Sequence, residues 1–223
     1  MADIKLAPSI LSADFARLGE HVAEVTDAGA DMIHVDIMDG HFVPALTWGP
    51  RTVEAIRRWT HLPLDVHMMV ENPERHVDSF VDAGADIVTV HFEACVQLHW
   101  TVDRIRSRGA RAGVAISPGT SVAAIDEALP WLDQVLVMSV NPGLPGQKFI
   151  TSSPQKIARV RELLRQRGSE AVVEVDGGVN ADTAPLVAQA GAKVVVAGSA
   201  VFDYPDGIEA AVRLLKERLG AGT

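Results

Sequence analysis

Short apolar runs alternate with longer segments of mixed apolar and polar positions along almost the whole chain. The runs that read as strands are Lys5–Ile10, Met32–Met38, Leu64–Met69, Ile87–His91, Ala112–Ile116, Gln134–Ser139, Ala171–Asp176 and Lys193–Ala197. They are near-continuously hydrophobic, as strands buried on both faces are. The segments between them have amphipathic helical spacing, predicting helices over 15–28, 50–59, 73–83, 96–108, 122–129, 154–167, 183–190 and 208–219. Pro50, Pro73 and Pro154 stand at first helical turns, where proline's missing N–H costs nothing. Ser12-Ala-Asp-Phe and Asn72-Pro-Glu-Arg offer N-capping side chains. Three joints resemble one another: Asp27-Ala-Gly-Ala-Asp-Met-Ile-His-Val35, Asp82-Ala-Gly-Ala-Asp-Ile-Val-Thr-Val90 and Gln189-Ala-Gly-Ala-Lys-Val-Val-Val-Ala197. Each reads as a helix end, a left-handed glycine cap and a strand.

Eight such units predict an α/β fold, a (β/α)8 TIM barrel forming a single catalytic domain over residues 1–223. An open doubly wound sheet is the alternative, and it calls for a G-x-G-x-x-G turn after the first strand. That strand runs instead into Ser9-Ile-Leu-Ser12, with no glycine before Gly19, which favours the barrel.

Composition narrows the class further. Hydrophobic residues make up 48% of the 223, enough for a large core, and no apolar run approaches the ~20 residues a membrane span needs. The formal net charge of −9 argues against nucleic acid as a partner, yet leaves room for a small anion held by backbone amides. One cysteine, Cys95, excludes an internal disulfide and reads as an ordinary, partly buried thiol. With no signal peptide at Met1-Ala-Asp-Ile-Lys, a cytoplasmic protein is expected.

In a barrel the chemistry gathers where strands end. Met32-Ile-His-Val-Asp-Ile-Met-Asp39 places His34, Asp36 and Met38 on one face, since strand side chains alternate. The third strand adds His67 and Met69, the sixth Met138, and the seventh Asp176-Gly-Gly178. His34, Asp36, His67 and Asp176 make a mixed imidazole and carboxylate set suited to one divalent ion: zinc, iron(II), manganese or cobalt. His91, at the end of the fourth strand, reads as structural. Met38, Met69 and Met138 read either as core filler or as a water-excluding lining over a delocalised anion. Gly177, Gly178, Gly198 and Ser199 lie where barrels bind phosphate, and Gly143 and Gly146 read as a lid segment. Together these suggest proton abstraction beside a carbonyl in a sugar phosphate, through an enediolate stabilised by a Lewis-acidic metal. Asp36 and Asp176 would be the acid/base pair, one on each face of the inverted carbon.

Ala7-Pro-Ser-Ile-Leu-Ser-Ala-Asp14, His34-Val-Asp-Ile-Met-Asp-Gly-His-Phe-Val-Pro44, Asp65-Val-His-Met-Met69, Asn141-Pro-Gly, Gly146-Gln-Lys-Phe149 and Val175-Asp-Gly-Gly-Val179 resemble the ribulose-phosphate 3-epimerase family, from about residue 4 to 219. The resemblance implies the barrel and the interconversion of D-ribulose 5-phosphate and D-xylulose 5-phosphate. It carries the metal ligands to His34, Asp36, His67 and Asp176 and the acid/base pair to Asp36 and Asp176. Substrate contacts fall on Ser9, His67, Asp176 and the phosphate loops Gly143-Leu144-Pro145-Gly146, Gly177-Gly178 and Gly198-Ser199. It further implies a homo-oligomer in the pentose phosphate pathway or carbon fixation.

Three positions depart from the family pattern: Leu144-Pro145 between the glycines of the sixth loop, Ala45 after Val43-Pro44, and Ser117-Pro-Gly-Thr120 after the fifth strand. None removes a ligand or a catalytic carboxylate. The Leu144-Pro145 change leaves room for a sister 3-epimerase acting on a hexulose 6-phosphate such as D-allulose 6-phosphate. A decarboxylase or synthase on this barrel would call for a lysine at a strand end, and no strand ends in one. A non-catalytic binding module would not need four ligands and two carboxylates.

Overall fold

The computed structural model describes residues 4–143 and 147–221. Eight parallel strands form one sheet in the order β1-β8-β7-β6-β5-β4-β3-β2. They are β1 (Lys5–Pro8), β2 (Ile33–Met38), β3 (Leu64–Met69), β4 (Ile87–His91), β5 (Arg111–Ile116), β6 (Gln134–Met138), β7 (Val172–Asp176) and β8 (Val194–Ala197). Helices α1 (Leu18–Asp27), α2 (Pro50–Ile56), α3 (Val77–Asp82), α4 (Leu98–Ser107), α5 (Ser153–Arg167), α6 (Ala184–Ala190), α7 (Ser199–Phe202) and α8 (Ile208–Ala221) lie between and after them. This is the expected (β/α)8 barrel.

The barrel closes thinly. Between β1 and β2 there is, among the described residues, a single parallel bridge, Ser9 to His34, just past the end of β1. At the other end of this seam Asp31 N–H donates to the Leu6 carbonyl at 3.0 Å, and the Asp31 carboxylate accepts from Leu6 N–H at 2.8 Å.

Strand alternation sorts the side chains as expected. Ile33, Val35 and Ile37 of β2 join the core between sheet and helices. His34, Asp36 and Met38 turn inward. Low in the barrel the interior is apolar, with Ala7, Met32, Ile87, Val194 and Val196 packed together. Beside these residues it is polar: Asp65, Thr89, Gln134 and Glu174 are all buried. The glycines of the three repeated joints, Gly29, Gly84 and Gly191, have φ of 90°, 106° and 109°, the left-handed turn that ends a helix.

Several helices differ from the periodic reading. The helix expected over 122–129 is 3-10 in form, from Val122 to Trp131 with Pro130 inside it. The segment 15–28 begins as a 3-10 turn, Phe15–Arg17, before α1, and 73–83 splits into 3-10 Pro73–Arg75 and α3. Asp14 caps as expected, accepting from Ala16 N–H at 3.0 Å. Asn72 does not: its backbone is left-handed, with φ of 49°, and its side chain makes no capping bond. α7, directly after β8, was not foreseen; four residues are too few to show a period.

Candidate active site

At the C-terminal ends of the strands a cavity of about 470 Å³ opens into the barrel. Its floor and walls include Ser9, Asp36, Met38, Met69, Met138, Asp176, Gly177, Gly178, Gly198 and Ser199, with Gly143 at the side. Leu144, Pro145 and Gly146 lie outside the described residues.

Ligand atoms of His34, Asp36, His67 and Asp176 all lie within 4.8 Å of one another. Strand register produces this grouping: Asp36 of β2 sits beside His67 of β3, and His34 beside Asp65. Asp176, at the end of β7, faces them across the barrel, with an oxygen 3.8 Å from His67 Nδ1. Ser9 Oγ donates to Asp36 at 2.5 Å across the seam. His67 was expected on the substrate as well as the metal, but it is fully buried and does not line the cavity.

The two imidazoles face the cluster through different nitrogens. His34 Nδ1 is 2.7 Å from the Asp65 carboxylate, which turns Nε2 toward Asp36 at 3.4 Å. His67 reverses this: Nδ1 is 3.0 Å from Asp36, and Nε2 is 2.9 Å from Nε2 of His91. Asp65, Glu174 and Gln134 form a buried polar group on the Nδ1 side of His34, where Gln134 donates to Glu174 at 2.5 Å. Phe42 packs on the His91 ring, with centroids 4.8 Å apart.

The four donors fit a divalent cation. His34 Nε2 is buried and has no hydrogen-bond partner, a costly arrangement for an imidazole aimed at a cluster of oxygens. A cation among the four would satisfy it, and the Asp65 contact is the carboxylate support that metal-binding histidines use.

The electrostatics separate the two carboxylates. Burial pushes Asp36 upward, but the charge of His34 at 3.4 Å and a hydrogen bond from His67 hold it far below the usual range. Burial and the nearby charge of Asp36 raise Asp176 to about 7. Burial disfavours a charged His34, yet Asp36, Asp65 and Glu174 together carry its pKa well above normal. One carboxylate thus stays ionised while the other titrates near neutrality, a division that acid/base pairs use.

The rim also has the features of an anion site. Among the described residues the cavity lining contains no lysine or arginine, so an anion there would rest on backbone amides. Gly177 and Gly178 have φ of 116° and 66°. A Cβ on Gly178 would lie 2.9 Å from Phe149 N, and one on Gly177 as close to Val140 N. These glycines therefore allow the chain to turn against neighbouring backbone.

Sequence reading missed the supports beneath these groups. Asp65 and Glu174 are inward strand positions two residues before the expected sites His67 and Asp176, and Gln134 stands four before Met138, but their partners depend on register between strands. Leu11 and Ser12, from a 3-10 turn after β1, and Asn141, Gln147 and Asp203, from connecting segments, also line the cavity, and none of these short pieces carries a periodic signal.

The profile of the ribulose-phosphate 3 epimerase family matches residues 5–202. Over 204 residues the chain is 54% identical to the ribulose-phosphate 3-epimerase of Bacillus subtilis (strain 168), covering 91% of this chain and 94% of that one. It is 53% identical over 211 residues to the chloroplastic ribulose-5-phosphate-3-epimerase of Arabidopsis thaliana, covering 94% and 75%. Among solved structures, 3-hexulose-6-phosphate synthase from Salmonella typhimurium superposes with a TM-score of 0.74 at 19% identity, over 99% of this chain and 100% of that one. At that identity the likeness concerns the fold alone.

Proposed function

The chain belongs to the ribulose-phosphate 3 epimerase family, and from that premise we propose that it interconverts D-ribulose 5-phosphate and D-xylulose 5-phosphate at this rim. The observation that carries the reading is the placement of two carboxylates of opposed acidity, Asp36 and Asp176, within one four-ligand cluster on the cavity floor.

His34, through Nε2, and His67, through Nδ1, would hold one divalent ion with Asp36 and Asp176. Zinc, iron(II), manganese and cobalt all accept this donor set. Such an ion would supply Lewis-acid stabilisation for negative charge developing on the substrate's oxygens. The chain's own groups do the rest. One of Asp36 and Asp176 takes the proton from C3 while the other, on the opposite face, delivers one. In the reverse direction the two exchange roles. Ser9, bonded to Asp36, orients that carboxylate and meets the substrate's hydroxyls. Met38, Met69 and Met138 keep water off the planar enediolate, which would otherwise take a proton from solvent. The phosphate rests on the backbone of Gly177, Gly178, Gly198 and Ser199, with Gly143 at the side of the cavity.

An epimerase assay on ribulose 5-phosphate, with solvent-deuterium incorporation at C3 and metal analysis of the same sample, tests this. Asp36→Asn and Asp176→Asn should each lower turnover by about 10²–10⁴-fold and abolish exchange at C3. Unchanged exchange in either variant would sink the assignment. Allulose 6-phosphate in the same assay should be the poorer substrate. A homo-oligomer in the cytoplasm, acting in the pentose phosphate pathway, completes the proposal, and light scattering of the purified protein tests the assembly.

A further inference from the structure

His67 turns its Nδ1 to the ligand cluster, and an imidazole binds a metal only through a nitrogen without a proton. Something must therefore keep the proton of His67 on Nε2. Nε2 of His67 lies 2.9 Å from Nε2 of His91, and both rings are buried. Two such nitrogens share one proton, so one is donor and the other acceptor. Nδ1 of His91 is 3.1 Å from Glu93 Oε2. The other oxygen of Glu93 accepts from the backbone N–H of Ser117 at 2.8 Å and from the Thr120 hydroxyl. A backbone amide is always a donor, so Glu93 is fixed in place as an acceptor. Lys156, in the same corner, donates to the carbonyls of Ser117 and Thr120 at 2.5 and 2.8 Å, which holds their loop against Glu93.

We propose that Glu93 and His91 set the tautomer of His67 and are positioning residues for the metal site. The carboxylate of Glu93 requires N–H at His91 Nδ1. The neutral His91 ring then has a bare Nε2, which accepts from His67 Nε2–H. That leaves His67 Nδ1 bare and aimed at the cluster. His34 needs no such chain, because Asp65 acts on it directly. The inference rests on the four-ligand reading above.

Glu93→Gln tests it with a near-isosteric change. The amide oxygen would still accept from Ser117 and Thr120, which leaves its NH2 group facing His91 Nδ1. His91 would then carry its proton on Nε2, His67 would have to accept there, and His67 Nδ1 would be protonated. Zinc affinity, measured by chelator competition, should fall about 10–100-fold. Thr120→Val, which keeps the carboxylate on His91, should bind zinc as the parent does. Nitrogen-15 spectra of imidazoles in the zinc-loaded parent give a second readout that needs no variant. His91 should be protonated at Nδ1 and bare at Nε2. A proton on His91 Nε2 in that sample, or parent-like zinc affinity in a folded Glu93→Gln protein, would overturn the relay while leaving the metal site standing. A parent chain that takes up no zinc would overturn the four-ligand reading and the relay together.

Discussion

Gly113 illustrates how little space the barrel interior leaves. A Cβ there would lie 2.2 Å from Thr89 Oγ1 on the neighbouring strand. Gly113→Ala should therefore destabilise the protein by about 1–3 kcal/mol through overpacking, and Thr89→Ala in the same chain should restore most of it. Urea unfolding of the single and double variants checks this. Cys95 is a different case: burial pushes its thiol up to about 12, against an ordinary 9.0. The folded thiol thus keeps its proton where the unfolded one ionises. Its contribution to stability is complete below pH 9 and is lost as pH climbs toward 12. At pH 8 a disulfide reagent should label it far more slowly in the native protein than in urea, and Cys95→Ser should flatten the alkaline limb of the stability curve. The residues that bear the proposed chemistry were legible because a strand has a period of two, which put His34 with Asp36 and found His67. His91 read as structural for want of a partner. Its partner, His67, lies on the adjacent strand, and only register supplies that pairing.

At the scale of elements, the repeated joints contain more than a helix stop. The residue after the Gly-Ala step is Asp31 in the first joint and Asp86 in the second, and each carboxylate accepts an N–H from the first two residues of a neighbouring strand, Leu6 or Leu64, at 2.8 Å. Asp133, before β6, does the same for Ala112 at 2.8 Å. These bonds anchor the lower ends of the strands. Asp31 is also reached by Lys216 of α8 at 3.0 Å. Asp31→Ala should cost about 1–3 kcal/mol by leaving the buried Leu6 N–H without a partner, whereas Asp31→Asn, whose amide oxygen can still accept, should cost less. Thermal melts of the two variants, side by side, decide it. The repeat was visible in the sequence, but the carboxylate's target was not, since it belongs to the strand before. The outer ring shows the same limit: Arg104 grips Asp78 at 2.8 and 2.5 Å, with Arg108 on Asp82 one turn on, and neither pairing has a sequence signature across 26 residues. The 3-10 form of Val122–Trp131 also escaped, because apolar spacing separates 3.0 from 3.6 residues per turn poorly over so short a segment.

For the molecule as a whole, the barrel was readable because eight apolar runs, buried on both faces, permit few other arrangements. The polar interior was not, since Gln134, Glu174 and Thr89 come from three different strands. That interior bears on stability as well as chemistry. The folded chain assembles four ligands that the unfolded chain scatters, so a cation that binds the cluster should stabilise the fold. At a free concentration a hundred times Kd the gain is about 2.7 kcal/mol, worth roughly 5–11 °C in Tm for a chain this size. Calorimetry with and without a chelator measures it, and no shift would mean that the cluster binds no ion.

The thin closure between β1 and β2 has a further consequence. A hoop breathes where its joint is weakest, and here that joint has one bridge, with Ser9 on one side and His34 and Asp36 on the other. An occupant of the rim would work as a rivet through that joint. Amide deuterium uptake around Ser9 and His34 should slow when the site fills, while the broad ladders on the far side of the hoop, from β3 to β6, keep their rates.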